Sequence, residues 1–446
     1  MAAAVIPHGP KGHLLLGNMP EFNRDPLEFL ARCAREYGDV VRTRFLYVTA
    51  YFLNNPDHIE YVLATNNRNF IKSRSLRSPF FHRLVGNGLV TSESDFWRRQ
   101  RRLAQPAFHR DRVNAYSEVM VNYTERMLGA WREGEVRDIH REMMRLTMEI
   151  VVRTLFNADV SGDADQVGAT LQLMVKPFAS QATLQWILDN RLPTPGHRRF
   201  FSAVQSIDEI VYRIIGQRRA SGQDQGDLLS MLLQAQDEDG SRMTDKQLRD
   251  EVMTLFLAGH ETTALALSWA WYLLAKHPQV EAKLAAELEE VLGGRAPTAA
   301  DLPRLRYTEM ILKESMRLYP PAYGVGREAL KDCEIGGYLV PAGTQLFMFQ
   351  WVVHRDERYF DHPEAFRPER WADDLAARLP KYAYFPFGGG PRVCIGSSFA
   401  MMEAVLLLAT IAQRFRLALV PEHPVALLPA MSLRPKNGIK VTLLKR

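Results

Sequence analysis

The 446-residue chain is short of cysteine: Cys33, Cys333 and Cys394 lie far apart, with no CxxC pair. That excludes a disulfide scaffold and reads as a reducing compartment. Long apolar runs are also missing. No segment reaches the roughly 18–20 apolar residues of a membrane span, and "MAAAVIPHGPKGHLLLGN" has no long apolar stretch before its prolines. The expectation is a cytoplasmic protein without a signal peptide. Charge is slight, at +5 with a pI of about 9.0, too little to imply nucleic acid. There is no internal repeat, low-complexity tract or dividing linker. What is present is 46% hydrophobic residues over a length that could fill two or three domains. With nothing to divide it, the chain reads as one domain over residues 1–446.

Periodicity predicts a mainly α protein with small β-sheets. "RDPLEFLARCAREYGDV" has the period of an amphipathic helix ending at Gly38. "VVRTRFLYVTAYFLNN" is rich in β-branched and aromatic residues and predicts a hairpin. Helical periodicity dominates from about 57 to 320, broken by loops such as "SGQDQGD" and "DEDGSR". Strand-like pieces return in "CEIGGYLV" and "PAGTQLFMF". "SLRPKNGIKVTLLKR" predicts a last hairpin turning at Asn437-Gly438.

Four stretches carry chemistry. In "FPFGGGPRVCIG", Cys394 follows three glycines and Arg392 and precedes a long apolar-periodic helix. A helix start presents unpaired N–H groups that favour a thiolate. Gly388, Gly389, Gly390 and Gly396 let backbone approach a flat ligand, and Phe387 can cover the sulfur. A lone cysteine would more often be a buried structural one. The second stretch is a long helix with a capping box, Thr244 and Gln247, expected to reach Lys276. Mid-helix, Gly259 is followed by Glu261, Thr262 and Thr263, which cost stability and invite a local widening of the turn. Third, "KESMRLYPP" sets Glu314 and Arg317 three apart on one helix face, with "FRPERW" downstream. Taken alone, such a pair is an exposed ion pair worth well under 1 kcal/mol. Fourth, "DFWRRQRRLAQPAFH" crowds arginines around Trp97 and Arg101, without the interleaved aromatics of a nucleic-acid surface.

Together, in this order and spacing, these stretches resemble the cytochrome P-450 family of haem-thiolate monooxygenases. The loop matches F-x-x-G-x-R-x-C-x-G at Phe387, Gly390, Arg392, Cys394 and Gly396 without departure. The resemblance covers essentially the whole chain. It implies the family fold: a helix-rich single domain with haem b between the long central helix and the cysteine-loop helix. It makes Cys394 the axial iron ligand. Trp97, Arg101, Arg327 in "GVGREAL" and Arg392 would hold the haem propionates. "AGHETT" matches the oxygen-activation motif: Ala258 and Gly259 would leave room over the iron, Thr262 would hold oxygen and its water, and Glu261 would connect that water to bulk protons. Glu314, Arg317 and Arg370 would form a buried structural triad.

The implied reaction inserts one atom of O2 into a hydrophobic small molecule. The implied pocket includes Val90, Ala258, Gly259, Ala322, Tyr323, Gly324 and Met431. No flavin or iron–sulfur segment is recognisable, so a ferredoxin or flavodoxin with its reductase would deliver electrons to a cytoplasmic monomer. The motifs look most like the branch holding fatty-acid hydroxylases and eukaryote-like bacterial members. Where the fatty-acid type holds a carboxylate with an arginine and a tyrosine, however, this chain has Val48 and Phe52. Three rivals stand beside this reading. A peroxide-dependent or peroxide-rearranging haem-thiolate enzyme would generally lack the acid–threonine pair. A haem sensor or electron carrier would need no proton relay. A basic nucleic-acid-binding protein would hold no haem.

Overall fold

The computed structural model describes residues 5–157, 195–236 and 240–446. The expected helical stretch between 158 and 194 and the start of the "DEDGSR" loop lie outside the described residues. The chain forms two compact units that alternate along the sequence. The first comprises the residues up to Ser78, Lys313–Cys394 and Met431–Leu433. The second comprises the described residues of Pro79–Leu312, Ile395–Ala430 and Arg434–Arg446.

In the first unit, the helix Pro26–Tyr37 starts where the Asp25 carboxylate accepts the Glu28 N–H at 3.1 Å, and it stops at Gly38 with φ +83°. The expected hairpin follows as strands Val40–Phe45 and Val48–Leu53, in antiparallel register with Arg42 opposite Tyr51. These strands open a five-stranded sheet that continues through Gln345–Met348, Val325–Ala329 and Phe70–Lys72. Alternation sorts the hairpin into two faces. Val40, Tyr51 and Leu53 pack with Ile59, Val62 and Leu346, whereas Val41, Ala50 and Phe52 pack on Phe29, Leu30 and Cys33. "CEIGGYLV" forms the two-stranded ribbon Cys333–Ile335 and Tyr338–Val340.

The second unit is built around a 32-residue central helix, Asp245–Lys276, opened by the Thr244/Gln247 capping box. The helix Ile139–Phe156 packs along it, and Thr147 Oγ1 donates to the His260 carbonyl at 2.9 Å. The expected widening at Gly259 is absent, and the helix runs through unbroken. Instead, Thr262 and Thr263 donate their hydroxyls to the carbonyls of Ala258 (2.8 Å) and Gly259 (3.2 Å), so both hydroxyls are satisfied within the helix. The helix Ser397–Arg414 that follows the cysteine loop is buried at every position from Met402 to Ala412. The last hairpin is also corrected. Gly438 makes its turn with φ +72°, but Lys440–Lys445 lies between Val136–Asp138 and Phe415–Leu419 instead of folding back on the strand before the turn. Burial decides this: Val441 and Leu443 are fully enclosed in that sheet. No helix among the described residues is long and apolar enough to cross a membrane.

Candidate active site

The cysteine loop belongs to the first unit, and hydrogen bonds fix its shape. Cys394 N–H donates to the Phe387 carbonyl at 3.0 Å, Val393 N–H to Gly390 at 3.1 Å, and Gly388 N–H to Phe385 at 2.9 Å. Gly390 has φ +64°, and a Cβ there would lie 1.8 Å from the Leu63 carbonyl oxygen, so only glycine fits. Of the three cysteines, Cys33 is buried and Cys333 half-buried, while Cys394 is exposed. Burial pushes the Cys33 thiol up to about 12, with nearby Arg32 pulling the other way.

Beneath the loop lies the Glu314 network. Arg317 Nε and Nη2 donate to the two Glu314 oxygens at 2.9 Å each. Arg370 Nε donates at 2.8 Å, Trp371 Nε1 at 2.9 Å and the Arg367 N–H at 3.1 Å. Glu314 and Arg317 are both 0% exposed, so the exposed-pair reading is excluded. Arg317 Nη1 also donates to the His354 carbonyl at 2.9 Å. His354 Nε2 in turn accepts the Phe385 N–H at 3.0 Å. Burial and the adjacent Arg317 charge hold this imidazole well below its ordinary range, so it stays neutral and able to accept. A continuous chain of contacts therefore joins the ion-pair network to the start of the cysteine loop.

Four residues of the expected pocket, Ala322, Tyr323, Gly324 and Met431, belong to the first unit, on two segments joined by a backbone contact. The Leu433 N–H donates to the Pro321 carbonyl at 2.9 Å, which brings the segment of Met431 beside that of Ala322. A Cβ on Gly324 would lie 2.6 Å from the Phe349 ring, and Tyr323 stacks on the same ring. Arg327 is buried on the strand Val325–Ala329, and half-buried Arg392 is on the short turn Gly390–Arg392.

In the second unit, the central helix carries Ala258, Gly259, Glu261 and Thr262. Ala258 is exposed between buried Phe256 and His260, so this stretch presents a methyl group and a hydroxyl where its neighbours are enclosed. Val90 follows a loop pinned to the same helix: Asn87 and Leu89 donate their N–H groups to Asp250 (2.9 Å) and Glu251 (3.1 Å). Trp97 and half-buried Arg101 stand one turn apart on the helix Ser94–Ala104. Gly396 caps the helix Ser397–Arg414.

The structure adds residues that sequence reasoning missed. Arg434 Nε donates to Glu261 Oε1 at 2.8 Å, within an ion pair only 16% and 7% exposed. His140, whose Nδ1 lies 3.2 Å from Ser268 Oγ, is driven down to about 4 by burial, and the charges of Glu261 and Arg434 act on it. Glu403 is fully buried on the helix Ser397–Arg414, and neither carboxyl oxygen has a hydrogen-bond partner among the described residues. Burial raises it well above the ordinary glutamate range. The signal for Glu403 was legible: it is the one charged residue in "FAMMEAVLLLATIA".

Comparison with known proteins gives one consistent result. The family model described as "Cytochrome P450" matches residues 7–443. Cyclooctatin synthase of Streptomyces melanosporofaciens is 40% identical over 95% of this chain and 92% of its own length. Cyclooctat-9-en-7-ol 5-monooxygenase of the same organism is 38% identical over 91% and 88%. Among solved structures, that of the cytochrome P450DA heme domain superposes with a TM-score of 0.89 at 29% identity, covering 99% of this chain and 98% of that one.

Proposed function

The chain belongs to the cytochrome P450 family and is a monooxygenase that uses haem with a cysteine thiolate ligand, and from that premise we propose that it oxygenates a cyclic, largely hydrocarbon terpenoid with electrons from a separate ferredoxin or flavodoxin and its reductase. The substrate class is supported by the two bacterial relatives, one of which is named for a cyclic unsaturated alcohol. It is also supported by the small or apolar side chains at Val90, Ala258, Ala322 and Met431. Val48 and Phe52, which carry no charge, argue against a dedicated fatty-acid carboxylate site. The reading includes one catalytic domain over residues 1–446, in keeping with the family match over 7–443. It also includes a cytoplasmic monomer.

The observation that carries the chemistry is Cys394: an exposed thiol on a loop whose glycines and backbone hydrogen bonds leave it no other shape. A soft sulfur donor presented this way fits the haem iron, whereas Cys33 is buried and Cys333 half-buried. When bound, the haem supplies oxygen activation, favoured by electron donation from the thiolate. Trp97, Arg101, Arg327 and Arg392 would hold its propionates, and Phe387 and Gly396 would flank the sulfur. Thr262 keeps its hydroxyl proton on the Ala258 carbonyl, and rotation of the side chain frees that proton for the reaction. Glu261, paired with Arg434, would resupply Thr262 and would need to loosen that pair to do so.

The test is a screen of cyclic terpene hydrocarbons, their mono-alcohols and fatty acids for the low- to high-spin change. Product analysis with a ferredoxin and its reductase follows. A saturable change and a product with one added oxygen are expected for a terpenoid. A response to fatty acids alone, or product with peroxide but never with the redox chain, would overturn the reading.

A further inference from the structure

Large apolar side chains exposed side by side mark interaction surfaces, and the first unit has such a place. Leu14 is 85% exposed, Leu15 73% and Tyr47 83%, and Leu16 is exposed with them. None of the roles above uses these residues. Their exposure is built into the backbone. Residues 8–18 bow out from the strand Val40–Phe45 and are pinned to it at both ends: the Arg42 N–H donates to the His8 carbonyl at 2.9 Å, and the Asn18 N–H to the Arg44 carbonyl at 2.6 Å. Within the bow, His13 and Gly17 exchange backbone hydrogen bonds of 2.8 Å each. Gly17 has φ +63°, and a Cβ there would lie 2.0 Å from the Arg44 carbonyl oxygen, so glycine is required. The Leu46 N–H donates to the Leu16 carbonyl at 3.1 Å, which sets Tyr47 next to the three leucines.

The tip also satisfies its own backbone. The Arg44 guanidinium donates to the carbonyls of His13 (2.7 Å), Leu14 (2.8 Å) and Leu15 (3.4 Å). His13 Nδ1 accepts the N–H groups of Leu15 and Leu16 at 3.3 Å each. Every carbonyl from His13 to Leu16 therefore has a partner within the chain, and a loop that leaves water needs its backbone groups paired in this way. Charge completes the surface. Residues 5–20 and 40–55 include Lys11, Arg42 and Arg44 but no aspartate or glutamate, and Lys11 and Arg42 are exposed. Anionic lipid attracts such cations, whereas a second copy of the chain would set them against each other. A short apolar tip alone holds a bilayer weakly, and basic residues supply the second contribution. No helix among the described residues is long and apolar enough to cross a membrane, so the contact is peripheral.

We propose that the tip formed by Leu14, Leu15, Leu16 and Tyr47 inserts into the surface of an anionic lipid bilayer, with Lys11 and Arg42 against the headgroups. This surface is separate from the terpenoid pocket and does not depend on that reading. The test is co-sedimentation of the haem-loaded full chain with vesicles of phosphatidylcholine alone and of equimolar phosphatidylcholine and phosphatidylglycerol. Two double variants are compared with wild type: Leu14→Ser with Leu15→Ser, and Lys11→Gln with Arg42→Gln. All four residues are exposed, so haem content and melting should match wild type. Expected is saturable, salt-sensitive binding of wild type to the anionic vesicles, weakened about 10-fold or more by either double variant. Absence of binding to the anionic vesicles, undiminished binding by the leucine variant, or equal binding to both kinds of vesicle would overturn it. So would a wild-type dimer that the leucine variant abolishes, because the tip would then belong to a second copy.

Discussion

Replacing Glu314 by alanine should prevent stable haem incorporation. The carboxylate accepts five hydrogen bonds, from Arg317 Nε and Nη2, Arg370 Nε, Trp371 Nε1 and the Arg367 N–H. Removing it leaves two guanidinium groups facing each other in a site where Arg317 is 0% exposed and the Arg370 side chain 7%. Stranding a buried charge costs about 3–5 kcal/mol, and each orphaned N–H adds about 1–3 kcal/mol. Even the lower figure is a large part of the roughly 5–15 kcal/mol that holds a folded domain. The damage should reach the cysteine loop, because Arg317 holds the His354 carbonyl and His354 holds the Phe385 N–H. Arg370→Lys is the graded control. It keeps the charge and leaves the Arg317–Glu314 pair intact, so it should load haem but melt earlier. The assay is haem content per protein and thermal melting of the soluble fraction. A soluble, fully haem-loaded Glu314→Ala protein with near-normal melting would refute the reasoning.

Thr262→Ala should retain haem and the substrate-induced spin change yet release much of its reducing power as peroxide, whereas Thr263→Ala should do so less. Product and peroxide per reducing equivalent decide it, and a tightly coupled Thr262→Ala enzyme would contradict the assignment. Glu403 should act through linkage. Its folded-state pKa is raised by burial, so its contribution is fully present below the ordinary glutamate range and is lost as pH rises toward the folded value, at about 1.4 kcal/mol per pH unit. Glu403→Gln should therefore match wild type near pH 4 and melt progressively higher than wild type as pH rises. Parallel melting profiles from about pH 5 to about pH 8 would show that the buried carboxyl is not held protonated.

What the sequence disclosed was mostly local. The Thr244/Gln247 box, the helix stop at Gly38 and the hairpin at 40–53 are governed by neighbours a few residues away, and they fold as those neighbours dictate. The last hairpin was misjudged because Asn437-Gly438 does specify a turn, but the choice of strand partner belongs to the burial of Val441 and Leu443. Gly259 was read as a place where the helix would widen, because side-chain bonds from Thr262 and Thr263 to backbone carbonyls were not counted. The Glu261–Arg434 pair joins residues 173 positions apart, and no period or motif announces such a contact. Glu314 and Arg317 show the reverse case: their spacing was plain, but only the enclosing Trp371 and the Pro363 and Ala365 carbonyls make the pair a buried one.

The central claim is that Cys394 binds the haem iron as a thiolate. The measurement is the absorption spectrum of the reduced carbon monoxide complex, recorded for wild type and for Cys394→His. Wild type should show the strongly red-shifted Soret band of thiolate ligation, and the mutant should lose it while Cys33 and Cys333 remain in place. The same red-shifted band in Cys394→His, or its absence from a haem-loaded wild type, would contradict the account.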